Sequence, residues 1–378
     1  MSTIEHRVQG LNNDQVAADW PAISRREITA LQAHFPALQG ACGVRWHSPR
    51  PMSAAAILDA DDGPVFLKRH HQSVRNAVTL SEEHRFIAHL AAAGLPVVQL
   101  LPAHNGATAI EHGHWTYELH GLASGDDRYR DLPSWLPPAS VDDARAAGAM
   151  LARLHAAAAS YHAPQRSTHM LVTRDELIRS ADPIAALQAQ LADRPALAGW
   201  LAGKPWQAEL QQHLLPWHAA LGTRLAATPR LWAHNDWHVS NLLWQGRGAH
   251  SEVACVFDFG LASPTSALFD LATAIERNAV AWLQLEHGAR AVRSDIALAL
   301  LAGYRQQRPL AAAQVHLLAD LLPVVHVDFA LSEVEYFHAA TGSAANADIA
   351  WHDFLLGHAQ WFHSTPGRQL LDTLRASA

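Results

Sequence analysis

His234-Asn235-Asp236-Trp237-His238-Val239-Ser240-Asn241 carries the most specific pattern in the chain, together with Asp258-Phe259-Gly260, which begins 17 residues after it. The spacing is H-x-D-x-x-x-x-N followed by D-F-G. These residue types at these intervals suit phosphoryl transfer, where a protein contributes positioning and charge more than covalent chemistry. A carboxylate must orient the attacking hydroxyl and accept its proton, and Asp236 is the candidate. Mg²⁺ takes hard oxygen ligands and bridges phosphates, so Asn241 and Asp258 are the candidates to hold it. Alone, Asp258-Phe259-Gly260 would read as a turn at a strand end, and Asp236 with Asn241 as a polar turn with capping side chains. Their order and spacing make them a candidate site.

Outward from this loop, residues 231–233 and 252–257 read as short apolar strands. Farther upstream, residues 53–59 and 64–69 read as two strands joined by the hairpin turn Asp61-Asp62-Gly63. Lys68, on the second strand, is the candidate cation for the α- and β-phosphates of a nucleotide. A helix opening at Ser81 follows, with Phe86, Ile87 and Leu90 as its apolar face and Gly94 as its stop. Glu83 shares the stripe of Phe86 and Leu90, while Glu82 points about 100° away. Glu83 is therefore the candidate partner of Lys68. Residues 97–101 and 114–119 supply two more strands, and residues 1–40 read as a helical lead-in. After His120 the pattern turns helical. An amphipathic helix is expected over 141–159, and two or three helices over 160–230, broken near Pro183, Pro195, Pro205 and Pro216. More helices follow Leu268, separated by Gly303, Pro309 and Gly342. The expectation is an α+β fold of two lobes. Residues 1–120 form the lead-in and a small mixed nucleotide-binding sheet, and residues 121–378 a larger helical lobe with the catalytic loop and acceptor pocket.

Composition bounds the function. Among 378 residues, 28 are Lys or Arg and 35 are Asp or Glu, a net charge of −7, which argues against a dedicated nucleic-acid binder. With 49% hydrophobic residues the chain can bury sizeable cores. Two cysteines, Cys42 and Cys255, make no disulfide framework. Residues 1–10 contain no apolar run of the kind a secretory signal needs, and no stretch reaches the roughly 20 apolar residues of a membrane span. The expected address is the cytoplasm, with no membrane partner.

The loop from His234 to Asn241, the Asp258-Phe259-Gly260 segment and Phe269-Asp270-Leu271-Ala272 together resemble the aminoglycoside phosphotransferase and choline kinase family. The helix ending Leu154-His155 and the Gly94-Leu95-Pro96 segment are similar to parts of the same family. The resemblance runs from about Ser53 to Tyr304. It implies a protein-kinase-like fold, ATP and Mg²⁺ as cofactors, Asp236 as catalytic base, Asn241 and Asp258 as metal ligands, and Lys68 on the nucleotide phosphates. His234 and Asp270 would then hold the catalytic loop. Two departures stand out. No Gly-rich phosphate loop is present, the corresponding turn being His47-Ser48-Pro49-Arg50-Pro51-Met52. Asn235 stands where many members have Gly.

The acceptor is less legible. The segment from His326 to His338 is dense in acids and aromatics, and Asp328, Ser332 and Glu335 share a helix face. Asp328 and Glu335 are the candidates to line an acceptor pocket, where acids and aromatics would suit a cationic alcohol. The expected reaction is transfer of the γ-phosphate of ATP to a hydroxyl of a small molecule: an amino alcohol, hydroxy amino acid, sugar or aminoglycoside. Two alternatives stay open at this stage, a bacterial protein Ser/Thr kinase and a non-catalytic nucleotide-binding protein.

Overall fold

Strand pairing starts early in the chain. In the computed structural model, which describes residues 7–11, 15–133 and 135–378, Arg7–Gln9 (β1) and Gln15–Ala17 (β2) pair antiparallel. Arg25–Leu31 (α1) is capped by Ser24, with Glu27 closing the capping box. The lead-in expected to be helical over 1–40 thus holds a strand pair before its single α-helix. The rest of that expectation, and of the stretch read for a secretory signal, falls on residues 1–6 and 12–14, outside the described residues.

Two units divide the chain, Met1–Gly125 and Asp126–Ala378. The first is built on a five-stranded antiparallel sheet. Its strands are Val44–His47 (β3), Ala54–Ala60 (β4), Gly63–His71 (β5), Ala109–His112 (β6) and Trp115–Gly121 (β7), in the order β3-β4-β5-β7-β6. The helix Ala77–Ala92 (α2) lies in sequence between β5 and β6. It begins four residues earlier than expected, because Asn76 and Thr79 form the capping box. Ser81 bonds back to the Ala77 carbonyl from inside the helix. Residues 97–101 contribute one bridge, Leu100 with His120, and no strand.

Alternation along the strands gives the sheet two different faces. On one, Leu67, Tyr117 and Leu119 pack with Ile28, Leu31 and Phe35 in the apolar core of the unit. The other is polar. Lys68 stands opposite Glu118 in register, and Glu118 is buried among three imidazoles. Its carboxylate lies 3.0 Å from His70 Nε2 and 2.8 Å from both His84 Nε2 and His120 Nε2.

The second unit is mainly helical. Val141–Ala158 (α3) is capped by Ser140 and buries Ala144, Ala147, Leu151 and Leu154. Residues 160–230 carry five helices where two or three were expected: Glu176–Arg179 (α4), Pro183–Gln190 (α5), Pro195–Leu201 (α6), Trp206–His213 (α7) and Leu215–Ala226 (α8). The prolines taken as breaks are starts. Pro183 and Pro195 open their helices, where the missing N–H costs nothing. Two antiparallel pairs then frame the loop from His234 to Asn241. Leu231–Ala233 (β8) pairs with Ser263–Thr265 (β11), and Leu242–Gln245 (β9) with Glu252–Val256 (β10). The helices Ala267–Ala279 (α9), Ser294–Gln307 (α10), Ala312–Leu321 (α11), Val327–Tyr336 (α12), Ala344–Ile349 (α13), Gly357–Trp361 (α14) and Thr365–Ala376 (α15) complete the unit.

Gly303 does not separate helices; it sits inside α10. A Cβ there would overlap the Arg145 carbonyl of α3, and one on Gly148 of α3 would overlap the Leu300 carbonyl of α10. These two glycines let the backbones of α3 and α10 touch. Gly303→Ala should cost about 1–3 kcal/mol, the usual range for overpacking. A drop in the urea midpoint at unchanged m-value would register it; an unchanged midpoint would show that the crossing adjusts freely.

Candidate active site

The loop from His234 to Asn241 is held by one carboxylate. Asp270, in the first turn of α9, accepts from the backbone N–H of His234 at 3.0 Å and of Asn235 at 2.8 Å. His155 Nε2 of α3 reaches the same carboxylate at 3.0 Å, with its Nδ1 on the Tyr304 hydroxyl at 2.8 Å. His155 is thus a satisfied core histidine that steadies Asp270. His234 Nε2 donates to the Phe257 carbonyl at 3.0 Å, which leaves Nδ1 to accept from the Asp236 N–H at 3.2 Å. The departure at Asn235 has a conformational reason. Its φ is +61°, a region where Asn is tolerated after Gly. Its side chain is then used, accepting from the Thr265 hydroxyl at 2.7 Å and donating to Ser263.

This scaffold brings three of the sequence-derived site residues together. Asn241 Nδ2 donates to the Asp236 carbonyl at 2.9 Å and to its Oδ2 at 3.0 Å. The Asn241 carbonyl accepts from the Phe257 N–H at 3.1 Å, which sets Asn241 beside the segment carrying Asp258. Asp258 has a φ of +58°, uncommon for a non-glycine residue and typical of strained functional positions. Burial raises the Asp236 pKa above the usual aspartate range, Arg277 opposes the rise and the neighbouring Asp258 charge adds to it. With its amide nitrogen committed to Asp236, Asn241 keeps its side-chain oxygen for a ligand. That oxygen and the Asp258 carboxylate form a hard-oxygen donor set that fits Mg²⁺.

In the N-terminal unit, Lys68 is partly buried on β5 and Glu83 is buried on α2, while Glu82 is more exposed. Glu83 lies 4.0 Å from Arg75 Nε. Burial lowers the His70 pKa, and the charges of Lys68 and Glu83 both reach its ring.

The helix α12 is buried along its whole length. Glu335 is bound by the buried Arg194, Nε to Oε2 at 2.9 Å. Asp328 belongs to the same group: burial pushes its pKa up to about 6, with Arg194 and Arg174 opposing. Of the acids of α12, Glu333 feels the charge of Asp236: burial pushes its pKa up to about 8, Arg277 opposes the rise and Asp236 adds to it. Arg277 itself stands 2.9 Å from Asp236 Oδ1. Its guanidinium lies 4.6 Å from the Trp135 ring centroid and 5.6 Å from that of Phe329. Asn278 holds the loop next to it, donating to the Trp237 carbonyl at 2.7 Å and accepting from the Val239 N–H at 3.1 Å.

Glu333 ties this site to pH. An acid whose pKa rises on folding favours the folded state while protonated, so stability falls as pH rises from its ordinary value near 4.5 and levels above about 8. Glu333→Gln should flatten that part of the stability–pH curve, as urea melts at several pH values would reveal. A slope identical to that of the parent chain would mean that Glu333 titrates normally.

The profile of the phosphotransferase enzyme family matches residues 53–319. The chain belongs to that family. No curated protein sequence matches it. Solved structures agree on the fold. A microcompartment-associated aminopropanol kinase superposes with a TM-score of 0.57 at 16% identity, over 90% of this chain and 98% of that one. A choline/ethanolamine kinase family protein from Mesorhizobium loti gives 0.55 at 13% identity, over 93% and 99%. An amicoumacin kinase in complex with AMP-PNP and Ca²⁺ gives 0.51 at 15% identity, over 86% of each chain. The α+β, protein-kinase-like fold expected from the sequence is the fold of this family member. Among the described residues no helix is long and apolar enough to cross a membrane.

Arg277 and Asn278 were not singled out from the sequence, and Glu333, one of the acids of residues 326–338, falls about 100° from Ser332 and off the face of Asp328 and Glu335. A signal for the first two exists: they follow Asp270 by two helical turns, so they project toward the loop that Asp270 holds. Glu333 had no such signal, because which side of α12 faces the site is decided by packing against Arg194.

Proposed function

We propose that this phosphotransferase is an ATP-dependent kinase that phosphorylates a hydroxyl group of a small molecule. The observation that carries the proposal is the clamped carboxylate of Asp236, with Asn241 on Oδ2, Arg277 on Oδ1 and Asp258 alongside. A base fixed at both oxygens has one orientation in which to meet a hydroxyl. Asp236 orients the acceptor hydroxyl and takes its proton. Asn241 and Asp258 hold Mg²⁺, which when bound neutralises the charge of the transferring phosphate. Lys68 neutralises phosphate charge, and Glu83 holds Lys68.

Acids outnumber cations around Asp236. Asp258 and Glu333 share this region with Arg277, and Trp135 and Phe329 add aromatic faces. This favours an acceptor that carries an amine: an ammonium group returns buried carboxyls to their ionised form and stacks on aromatic rings. The aminopropanol kinase likeness points the same way. The test is a coupled ADP-release assay with Mg²⁺–ATP over amino alcohols, hydroxy amino acids, sugars and aminoglycosides. Metal-dependent turnover with an amino alcohol supports the reading. Turnover only with uncharged sugars would overturn the amine assignment, and none with any hydroxylated compound would overturn the kinase.

A further inference from the structure

Two buried clusters of histidines around a carboxylate lie outside this machinery. In the N-terminal unit Glu118 already receives three imidazole nitrogens. The second cluster, in the C-terminal unit, is not closed in this way. It comprises Glu276 of α9, His326 immediately before α12, and His358 of α14, all buried, with one donor atom from each within 4.8 Å of the others. His326 Nε2 donates to the Leu355 carbonyl at 2.9 Å. A carbonyl only accepts, so this bond fixes the tautomer and leaves Nδ1 with a lone pair. That nitrogen is buried and has no hydrogen-bond partner. His358 Nδ1 lies 3.0 Å from Glu276 Oε1. Its ring plane is set by Trp282, stacked at 3.5 Å and 10° and anchored by its own N–H on the Glu276 carbonyl. A buried lone pair beside a buried carboxylate is costly unless a cation joins them.

We propose that Glu276, His326 and His358 form a binding site for a divalent transition metal ion, with Zn²⁺ the best match to two imidazoles and a carboxylate plus one open position. Zinc bonds of about 2.0–2.1 Å place tetrahedral ligands roughly 3.4 Å apart. The His358–Glu276 pair, at 3.0 Å, is close to that spacing, and the three donor atoms all lie within 4.8 Å of one another. The Leu355 carbonyl on Nε2 is the kind of partner that orients metal-bound imidazoles. Arg277, the residue after Glu276, is the cation nearest the cluster along the chain. Arg277 has Asp236 as its own counter-charge. The ion would tie α14 and the start of α12 to α9, the helix that carries Arg277 to the catalytic carboxylate. It differs in kind from the Mg²⁺ set of Asn241 and Asp258, which offers only oxygen.

The experiment uses the full chain, produced without a histidine tag in zinc-supplemented medium and washed with chelator. Elemental analysis should find about one zinc per chain. Glu276→Gln, which keeps shape, and His326→Ala should each lower the content at least about tenfold, while Asp258→Asn and His84→Ala keep it. The Co²⁺-substituted parent chain should show the visible absorption of a tetrahedral site, and Glu276→Gln, folded by circular dichroism, should lose it. Parent protein without metal, or zinc that survives Glu276→Gln and His326→Ala but not His84→Ala, would overturn the site. Neither readout involves kinase activity, so the proposal stands or falls apart from the acceptor assignment.

Discussion

Asp236→Asn should lower turnover by about 10²-fold or more while leaving nucleotide affinity nearly unchanged. Asparagine keeps the shape of the residue and its hydrogen bond with Asn241, which at 3.0 Å can be restored by an amide flip. What it loses is the capacity to take a proton from the acceptor hydroxyl. The pH profile gives a second reading. The Asp236 pKa is raised by burial and by the Asp258 charge, against Arg277 and His234. The base works ionised, so activity should fall as pH drops through this raised value, above the ordinary aspartate range. In Asp236→Asn that acidic limb should vanish from whatever rate remains. Steady-state kinetics across pH, with calorimetric titration of Mg²⁺–ATP, would test both. Near-normal turnover in the folded variant would remove Asp236 from the role of base.

The grouping of Asp236, Asn241 and Asp258 was legible because one turn and one strand pair link them along the chain. Asp236 and Asn241 lie on one turn, and Asp258 follows the strand that pairs behind Asn241, so sequence distance stands in for spatial distance. The hairpin around residues 61–63 was legible for a similar reason, since turn residues and alternation are local signals. Failures occurred where a distant contact decides. Gly303 looks like a helix stop until the Arg145 carbonyl is seen against it. The prolines of residues 160–230 look like breaks, yet first-turn positions are where proline costs least. Ser81 lost to Asn76 because the capping box selects by its partner, Thr79. On α12 the pattern placed Asp328 and Glu335 on one face correctly, but it could not tell that Arg194 waits on that face. Glu333, one residue from Ser332, lies in the field of Asp236.

Asp258→Ala should abolish both transfer and metal-dependent nucleotide binding, the largest effect expected from a single change here. Asp258 is the one carboxylate of the proposed Mg²⁺ pair, and a neutral asparagine oxygen alone holds a divalent ion weakly. Because Asp258 has a φ of +58°, alanine also carries a conformational cost of about 1–2 kcal/mol, which Asn avoids more readily. Asp258→Asn therefore separates the two effects. It should fold as well as the parent chain and still lose Mg²⁺-dependent ATP affinity in calorimetry. Removing the Asp258 charge also removes one of the influences that raise the Asp236 pKa. Any residual turnover in Asp258→Asn should then keep its rate to lower pH than the parent chain does. Unchanged affinity for Mg²⁺–ATP in both variants would assign the metal to other residues. A residual activity whose acidic limb moves to higher pH would show that Asp258 and Asp236 do not share one field.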